Sequence, residues 1–293
     1  MQVIGAEMIY EKEKSENLAH ALVEALPYIQ KFRDKTIVIK YGGAAQTNET
    51  LKVSFSKDIA LLFNLNIRIV IVHGGGKEIN NISNQLGIDS TFINGQRVTT
   101  EEMLDVVTMV LGGKINKEIV GLINQQGVKS VGISGKDGEL LKAKKIILKD
   151  GVDLGQVGEV ELVNTKILNV LLDNSFIPVI APIGWGDEGK PFNINADIAA
   201  SSIAKSLKAE KLIYISDVPG ILINEERISS IDQETAEKYI HSNQITGGMI
   251  PKVISAFDTI KSGVNKVHII DGKTPHALLL ELFTDDGIGT QFI

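Results

Sequence analysis

Two lysines and one aspartate stand where α/β proteins usually bind ligands. Lys40 lies near the end of the apolar run Thr36–Tyr41, just before Gly42-Gly43, and therefore near the end of a predicted strand. Lys252 falls in the first turn of a predicted helix, where a positive charge costs about 0.3 to 1 kcal/mol unless an anion offsets it. Asp197 opens another predicted helix. We predict an anionic ligand at these positions. The alternatives are a strand lysine kept for solubility and an aspartate that only complements the helix dipole.

A loop without side chains follows the apolar run at residues 67–72. Gly74, Gly75 and Gly76 remove every β-carbon from the turn, and Ile79 and Ile82 then recur at helical spacing. Free backbone N–H groups and the positive end of a helix dipole can bind phosphate there. The spacing matches neither a P-loop nor the GxGxxG fingerprint. The loop predicts a phosphate site of another kind, and the alternative is a tight turn that binds nothing.

Arginine and asparagine side chains add groups that could recognise a small carboxylate. Arg97 follows Asn94-Gly95, a strong hairpin signal, and a guanidinium can clamp a carboxylate with two parallel hydrogen bonds. By itself, an arginine beside a turn is usually only solvated. Asn193, Asn195 and Asp197 crowd the start of a helix although a cap needs only one of them, which indicates a ligand.

The sequence offers positive groups and backbone donors but no convincing base. It contains no cysteine, and we find no serine–histidine pairing and no carboxylates at metal-ligand spacing. His73, before the glycines, is better interpreted as a hydrogen-bonded structural residue than as a base. Such a set suits phosphoryl transfer, in which catalysis is mostly positioning and charge neutralisation. A carboxylate acceptor, with a free pKa near 4.3, needs no base at pH 7. These residues therefore predict an acyl-phosphate product.

Composition excludes several other classes of function. The 293 residues are 43% apolar and 23% charged, enough for a sizeable core in one large α/β domain or two lobes. A net charge of −6 and 5% aromatic residues argue against a nucleic-acid surface, and the lack of cysteine excludes disulfides and thiolate metal sites. No apolar run reaches about 18 residues and no signal peptide is evident, so we expect no membrane association. We expect a cytoplasmic protein, or an organellar one after loss of a transit peptide.

Alternating strand and helix patterns predict a three-layer α/β/α sandwich with a mainly parallel central sheet. An amphipathic helix over residues 15–32 precedes it, with an apolar stripe at every third or fourth position. The stripe must be buried on its own subunit or on a neighbour, and the pattern leaves both open. A long helical pattern at residues 99–126 is interrupted by Gly112-Gly113, where we predict a bend.

Taken together, the motifs resemble the amino acid kinase family, and within it the branch that phosphorylates N-acetyl-L-glutamate. Each motif alone is modest support, whereas their occurrence in the family's order is strong. The segments that carry the resemblance are IVIKYGGAA (37–45), VIVHGGGKEI (70–79), FINGQRVT (92–99), GISGKDG (132–138), FNINADIAA (192–200), SDVPGIL (216–222), GGMIPK (247–252) and VHIIDGKTPHALLLELFTDDGIGT (267–290).

The resemblance implies transfer of the γ-phosphate of ATP to the side-chain carboxylate of N-acetyl-L-glutamate in arginine biosynthesis, with Mg²⁺ held mainly by the phosphates and no metal-binding side chains. Lys40 and Lys252 would stabilise the transition state and Asp197 would organise them. Residues that contact the substrate would be Gly75, Gly76, Arg97, which grips the α-carboxylate, and Asn193. Backbone donors to phosphate would be Gly43 and Gly75. The nucleotide-binding segments would be Ser216, Asp217, Val218, Pro219, Gly220 and Ile221, with Gln244, Ile245 and Thr246.

The resemblance also implies a division of labour within one continuous domain. Residues 1–32 would form an oligomerisation helix, residues 33–182 a lobe that binds acetylglutamate, and residues 183–293 a lobe that binds ATP. The helix and the GIGT tail are similar to the arginine-inhibited branch, in which dimers interlace into a homohexamer, a trimer of dimers. Arginine as effector would contact Lys211, Glu281 and Gly287. Some photosynthetic relatives also bind a PII signalling protein, and the sequence leaves that partner open.

Two residues depart from the family pattern, and two alternative functions stay open. Trp185 stands where a small or aliphatic residue is more usual, and Gln46 replaces a commoner methionine after the Lys40 loop. The first alternative is a related kinase that acts on glutamate, aspartate, carbamate or a nucleoside monophosphate. The second is a non-catalytic arginine-binding sensor of the same fold, for which retention of both Lys40 and Lys252 would be unnecessary.

Overall fold

The computed structural model describes residues 2–93, 95–148 and 151–293, with the backbone alone described at residues 2–14, 18 and 188. A π-helical segment, Met109–Ile115, joins two of the α-helices. The α-helices are α1 (Gln2–Phe32), α2 (Glu49–Asn64), α3 (Gly76–Gln85), α4 (Glu101–Thr108), α5 (Asn116–Asn124), α6 (Lys166–Asp173), α7 (Ala196–Leu207), α8 (Gln233–His241), α9 (Met249–Lys261) and α10 (Ala277–Phe283). Short 3₁₀ turns lie at Gly43–Gln46, Asp137–Glu139 and Asp187–Gly189.

The strands form one large sheet, one smaller closed sheet and two short hairpins. Their bounds are β1 (Thr36–Tyr41), β2 (Arg68–His73), β3 (Phe92–Ile93), β4 (Gln96–Arg97), β5 (Ser130–Ser134), β6 (Leu141–Ile147), β7 (Asp153–Val163), β8 (Ile177–Ala181), β9 (Ile183–Trp185), β10 (Pro191–Ile194), β11 (Lys211–Ser216), β12 (Leu222–Ile223), β13 (Glu226–Arg227), β14 (Ser230–Ile231), β15 (Lys266–Asp271) and β16 (Thr290–Phe292).

The large sheet has eight strands in the order β14-β16-β15-β11-β1-β2-β8-β5. The strands from β15 to β5 are mutually parallel, and β16 runs antiparallel to β15. Helices cover both faces, so the predicted three-layer α/β/α fold with a mainly parallel sheet is confirmed. The strands β6, β7, β10 and β9 close into a separate four-stranded sheet.

Alternation along β1 decides which helix each side chain meets, because successive side chains of a strand point to opposite faces. Ile37, Ile39 and Tyr41 join the core cluster that includes residues of α2, and Val38 joins the cluster that includes residues of α7. Lys40 shares the parity of Val38 and therefore faces α7. Small residues in α7 let that helix approach β1 closely.

Two predicted features take a particular form in the structure. The bend at Gly112-Gly113 is the π-helical segment between α4 and α5. The hairpin around Asn94-Gly95 is present as the antiparallel pair of β3 and β4, and Asn94 itself lies outside the described residues. No helix in the described part of the chain is long and apolar enough to cross a membrane.

The N-terminal helix leaves much of its apolar stripe uncovered within this chain. It runs from Gln2 to Phe32 through Pro27. Phe32 is buried, whereas Leu22 is 63% exposed and Leu26 is 48% exposed. The sequence left open whether the stripe packs on its own subunit or on a neighbour. The buried Phe32 at the C-terminal end of α1 packs on the same subunit, and the exposed Leu22 and Leu26 are available to a neighbour.

Candidate active site

The C-terminal ends of the central strands create a crevice. Strand β1 pairs with β2 on one side and with β11 on the other, all parallel, so the order of the chain reverses around β1. Ligands of open parallel sheets bind outside the carboxyl ends of strands at such a point. Lys40, His73 and Ser216 lie at or beside the ends of these three strands.

Both predicted lysines converge on the predicted aspartate. The Nζ atom of Lys40 lies 3.0 Å from Oδ1 of Asp197, and Lys252 Nζ donates to Oδ2 of the same carboxylate. Asn195 caps α7 by accepting the N–H of Asp197 at 2.8 Å, which fixes the carboxylate in the first turn. Helix α9, which carries Lys252, packs against α7. A strand end and two helix starts thus hold two positive groups on one carboxylate.

The charges of this cluster are strongly coupled. Burial disfavours the ionised form of Asp197, but the adjacent ammonium groups of Lys40 and Lys252 outweigh it and lower the pKa of the carboxyl to about 2. Asp197 is therefore ionised near neutral pH and cannot serve as a base there. The Lys40 side chain is only 14% exposed and that of Lys252 is 23% exposed, so weak solvent screening preserves their field.

A cavity of about 230 Å³ opens beside this cluster and ends at a buried arginine. Arg97 is 8% exposed and lies over the Phe92 ring, 4.6 Å from its centroid. The guanidinium donates to the Gly76 carbonyl at 3.2 Å and to the Ser90 hydroxyl. Burial lowers its pKa, and no ion pair between described residues involves it. A buried cation with only neutral partners favours an anionic ligand.

The other predicted substrate residues line the same cavity. Asn193 donates from its amide to the Thr99 hydroxyl at 3.1 Å, which places the amide on the wall near Arg97. Gly75 and Gly76, at the start of α3, line the cavity as well. A β-carbon on Gly75 would lie 2.4 Å from the Ile115 side chain and 2.6 Å from that of Leu111, so both side chains of the π-helical segment would have to shift for any other residue at this position.

The loop after Lys40 also depends on a glycine. Gly43 has a φ of 70°, which disfavours other residues, and a β-carbon there would collide with the Asp217 carboxylate. That carboxylate accepts the N–H of Ala44. Asp217, from the segment predicted to bind nucleotide, thereby lies beside the glycine loop that follows Lys40.

The other residues predicted to bind nucleotide lie in two loops of the second half of the chain. Ser216 ends β11, and Ile221 donates its N–H to the Thr290 hydroxyl at 2.9 Å, which holds the loop at residues 216–221 against the C-terminal strand. The segment at residues 244–246 links α8 to α9, with Ile245 buried. The larger cavity, described below, includes Asp217 but no residue of the 244–246 segment.

A larger cavity of about 580 Å³ is also lined by the glycine loops. It shares Lys40 and residues 74–76 with the smaller cavity, and it is bordered in addition by Gly43, Lys52 and Lys114. Sequence reasoning missed these two lysines, because a lysine on an amphipathic helix gives the pattern of a solvated face. The sequence shows which face of α2 carries Lys52 and which face of the π-helical segment carries Lys114. It does not show that these faces border the glycine loops, because that depends on how the two elements pack.

The predicted effector residues form a separate group at the opposite end of β11. Glu281 is buried, contacts His268 Nδ1, and accepts the N–H groups of Ile288 and Gly289 at 2.8 and 2.9 Å. A β-carbon on Gly287 would lie 2.8 Å from its Oε2. Lys211 lies 4.9 Å from the centroid of the Phe32 ring, and burial lowers its pKa to about 8. These residues meet where α1 reaches the C-terminal segment.

His73 has the environment of a neutral structural residue. It is fully buried; Nδ1 lies 3.0 Å from the Gly74 carbonyl, and Nε2 lies 3.2 Å from the amide nitrogen of Asn116. Burial lowers its pKa to about 4. With its proton on Nδ1, the imidazole donates to the Gly74 carbonyl and accepts from the Asn116 amide at Nε2. His73 therefore stays neutral near neutral pH and helps to hold the glycine loop in place.

Comparison with known proteins identifies the family of this chain. The profile described as "Amino acid kinase family" matches residues 35–271. A protein of Chlorobium luteolum named acetylglutamate kinase is 52% identical over 276 residues, which cover 94% of this chain and 90% of that protein.

Two solved structures of N-acetylglutamate synthase from Neisseria gonorrhoeae are also similar. One, complexed with coenzyme A and N-acetyl-glutamate, has a TM-score of 0.84 at 29% identity and matches 94% of this chain and 63% of its own. The other, complexed with coenzyme A and L-arginine, has a TM-score of 0.79 at 28% identity and matches 94% of this chain and 65% of its own. This chain thus spans less than two thirds of either synthase. Given its profile match and its 52% identical relative, the chain belongs to the amino acid kinase family.

Proposed function

We propose that this protein transfers the γ-phosphoryl group of ATP to the side-chain carboxylate of N-acetyl-L-glutamate, which gives N-acetylglutamyl 5-phosphate in arginine biosynthesis. The observation that carries the proposal is the convergence of Lys40 and Lys252 on Asp197, beside a cavity that ends at the buried Arg97. Relatives about 50% identical over most of the chain are named acetylglutamate kinase.

In this proposal, the cavity orients a dicarboxylate. Arg97 binds the α-carboxylate with its guanidinium, and Asn193 contacts the acetylated end of the substrate. The side-chain carboxylate then points toward Lys40 and the backbone N–H groups at Gly75 and Gly76. Because the acceptor is already ionised, no residue has to remove a proton.

The chemical step exchanges one phosphorus–oxygen bond for another. A carboxylate oxygen of the substrate forms a bond to the γ-phosphorus, and the bond to the bridging oxygen breaks, so ADP leaves with the electron pair. Lys40 and Lys252 stabilise the charge on the migrating group, with backbone N–H groups at Gly43 and Gly75 as further donors. Asp197 keeps the two ammonium groups apart at a fixed separation.

Magnesium fits this site as an ion held mainly by the nucleotide phosphates. Both oxygens of Asp197 already contact ammonium groups, and the described residues contain no cluster of three histidine, cysteine or acidic side chains suited to a metal. When bound, Mg²⁺ would neutralise phosphate charge and favour departure of ADP.

We also propose that the two halves of the chain divide the ligands. The substrate lobe, residues 33–182, supplies β1, β2, β5 and β8 of the large sheet, and the ATP lobe, residues 183–293, supplies β11, β14, β15 and β16. The nucleotide would lie along residues 216–221 and 244–246, with its phosphates directed to the loop at Gly43. Contact between Asp217 and Ala44 supports a junction of the lobes at the phosphates.

A cytoplasmic homohexamer, built as a trimer of dimers and inhibited by arginine, completes the proposal. Exposed Leu22, Val23 and Leu26 on α1 support burial of that helix against a neighbour. Arginine would bind near Lys211, Glu281 and Gly287, where α1 meets the C-terminal segment, and one similar synthase structure contains L-arginine. Binding of a PII signalling protein stays an untested prediction.

The substrate is tested by ADP release in a coupled assay with N-acetyl-L-glutamate and, separately, with glutamate, aspartate and carbamate. We expect the fastest turnover with N-acetyl-L-glutamate, together with an acyl phosphate that hydroxylamine converts to a hydroxamate. Faster turnover of another acceptor would overturn the substrate. Arginine binding without ADP release from any acceptor would instead favour the non-catalytic sensor.

A further inference from the structure

One threonine of the C-terminal strand holds the loop at residues 216–221. Thr290, at the start of β16, is fully buried, and its hydroxyl accepts the N–H of Ile221 at 2.9 Å. The same hydroxyl donates to the Ile228 carbonyl at 2.5 Å. Ile228 in turn donates its N–H to the Ile221 carbonyl at 3.0 Å. A single hydroxyl therefore fixes both the end of the loop and the chain that returns after the hairpin of β12 and β13.

A glycine lets the loop approach Thr290 closely. Gly220 has a φ of 136°, a conformation that other residues rarely adopt. A β-carbon on Gly220 would lie 2.4 Å from Oγ1 of Thr290 and 3.1 Å from its backbone nitrogen. Ile221 is only 1% exposed, so water cannot easily replace the hydroxyl as the acceptor of its N–H. The end of the loop is thus packed directly on Thr290 around a buried hydrogen bond.

The beginning of the loop has anchors of its own. The Ser216 carbonyl accepts the N–H of Gly272 at 2.8 Å, and the Asp217 carboxylate accepts the N–H of Ala44. Val218 lies between these anchors and Thr290, and it is 36% exposed. The loop is therefore held at both ends, and its middle is accessible to a ligand.

We propose that Thr290 is a positioning residue for the nucleotide, because its hydroxyl keeps the 216–221 loop in its binding conformation before ATP arrives. A loop that is already ordered loses little conformational entropy on binding, which strengthens affinity. Without the hydroxyl, ATP would have to order the loop as it binds. This inference rests on the proposed phosphotransferase function and adds a residue that lies outside both segments predicted to bind nucleotide and lines neither cavity.

A merely structural role for Thr290 would give a different kinetic result. Loss of the hydroxyl removes the partner of a buried N–H and of a buried carbonyl, so we expect stability to fall in either case. Loss of folded protein lowers the measured kcat and leaves both KM values unchanged. A displaced loop instead raises KM for ATP alone, since none of the described residues 216–221 lines the smaller cavity, where the acceptor would bind.

The test compares Thr290→Val, which keeps the shape of the side chain without the hydroxyl, with Thr290→Ser, which keeps the hydroxyl. We expect Thr290→Val to raise KM for ATP about tenfold, with KM for N-acetyl-L-glutamate changed less than threefold. Calorimetry should show a similar loss of affinity for ADP, which binds without turnover. Thr290→Ser should stay within threefold of wild type in all three measurements. Should Thr290→Val fail to fold, Thr290→Ala decides by the same criteria.

Ser130→Ala is the matched control, because the Ser130 hydroxyl is buried and donates to the Val120 carbonyl at 3.2 Å at the start of β5, away from both cavities. We expect it to lower stability and to leave both KM values unchanged. A Thr290→Val variant whose KM for ATP and affinity for ADP stay within threefold of wild type would overturn the proposal, as would equal rises in the two KM values.

Binding of ADP separates this inference from the phosphotransferase function. A wild type that binds ADP but transfers no phosphoryl group to any acceptor would overturn the function, and calorimetry would still decide the role of Thr290. A wild type that binds no ADP would overturn both together.

Discussion

At the scale of single residues, the site is built around one carboxylate that takes no part in proton transfer. Asp197 holds the ammonium groups of Lys40 and Lys252, and its pKa of about 2 keeps it ionised across the physiological range. Opposite charge in a poorly solvated site fixes both lysines without a further conformational change. In the function that we propose, catalysis would depend on positive charges that are already in place before the substrate binds.

Replacing Lys40 with alanine removes one of these charges. We expect Lys40→Ala to lower turnover by at least about a hundredfold, roughly 2.7 kcal/mol of barrier stabilisation, while arginine still binds. Coupled ADP release measures the rate, and calorimetry measures arginine binding. Lys129→Ala is the control, because Lys129 is exposed and precedes β5, at the amino end of the parallel strands and away from both cavities. An unchanged rate for Lys40→Ala would refute its role.

Arg97 should act on binding of the acceptor more than on chemistry. Arg97→Lys keeps the charge but loses the planar pair of donors that matches a carboxylate. We expect KM for N-acetyl-L-glutamate to rise about ten- to a hundredfold, with KM for ATP changed less than threefold. Steady-state kinetics with each substrate varied in turn measures both. Equal effects on the two KM values would contradict a specific contact with the acceptor.

At the scale of elements, the π-helical segment between α4 and α5 shapes the glycine loop. It brings Leu111 and Ile115 against Gly75 and turns Asn116 into the core. The amide of Asn116 donates to the Val179 carbonyl at 2.9 Å and meets His73 at 3.2 Å. A departure from regular helix therefore connects the substrate loop to the central sheet.

Substitution of Gly132 tests how tightly Asn116, which follows the π-helical segment, packs against β5. A β-carbon there would lie 1.8 Å from Oδ1 of Asn116, so we expect Gly132→Ala to lower the free energy of unfolding by about 1 to 3 kcal/mol. Gly121, inside α5, has open space around its missing β-carbon, and Gly121→Ala should raise that free energy by about 0.5 to 1 kcal/mol. Urea unfolding measures both. Equal effects of the two substitutions would contradict the tight packing of Asn116.

The junction of α2 and α10 should depend on pH. Asp58 is buried, and its Oδ1 lies 2.5 Å from Nδ1 of His276 at the start of α10. Burial raises the pKa of Asp58 to about 6, although the histidine opposes the shift. A raised pKa means that the neutral carboxyl stabilises the fold at low pH, and that this contribution is lost as pH rises through about 6.

Substitution with asparagine should remove that dependence. Between pH 5 and pH 8, we expect the free energy of unfolding of Asp58→Asn to rise relative to wild type by about 1.4 kcal/mol, because the variant has no charge to bury. Urea unfolding across this range measures it. The control is Asp105→Asn, at an exposed position on α4, whose difference from wild type should stay constant. A constant difference for Asp58→Asn would rule out the shift.

At the scale of the whole molecule, one continuous sheet carries both halves of the site. Lys40 comes from β1, Asp197 and Lys252 come from helices of the second half, and Arg97 comes from a hairpin outside the sheet. The predicted effector residues lie at the other end of β11, beside the C-terminal end of α1. Strand β11 thus directly connects the candidate active site with the predicted effector residues.

Removal of residues 1–32 tests the assembly that we propose. Because Leu22, Val23 and Leu26 are exposed on the isolated chain, α1 should bury them against a neighbour. Light scattering should give the mass of a hexamer for the full chain and that of a dimer for the truncated one. Leu22→Ala combined with Leu26→Ala is a milder version that keeps the Phe32 contact. A hexamer that survives the deletion would exclude this role for the helix.

Local patterns predicted many of the helices and strands well. The apolar run before Lys40 and the glycines after His73 indicated strand ends. The capping box at Thr99 and Glu102 predicted a helix start one residue early, because the hydroxyl that caps α4 is that of Thr100, which accepts the N–H of Met103 at 3.2 Å. These features depend on residues a few positions apart, whose backbone preferences and hydrogen bonds are local. The sequence by itself therefore determined the layered fold, the strand-end loops and the types of charge that they present.

Only the tertiary structure decided which of these groups meet. The side-chain parity of β1 and the packing of α7 and α9 bring Lys40, Asp197 and Lys252 together. The bond from Gln46 to Gly74, the π-helical turn and the closed four-stranded sheet also have no local signal. They depend on contacts between residues far apart in the chain, and such contacts form only when packing fixes the distance and direction of each side chain.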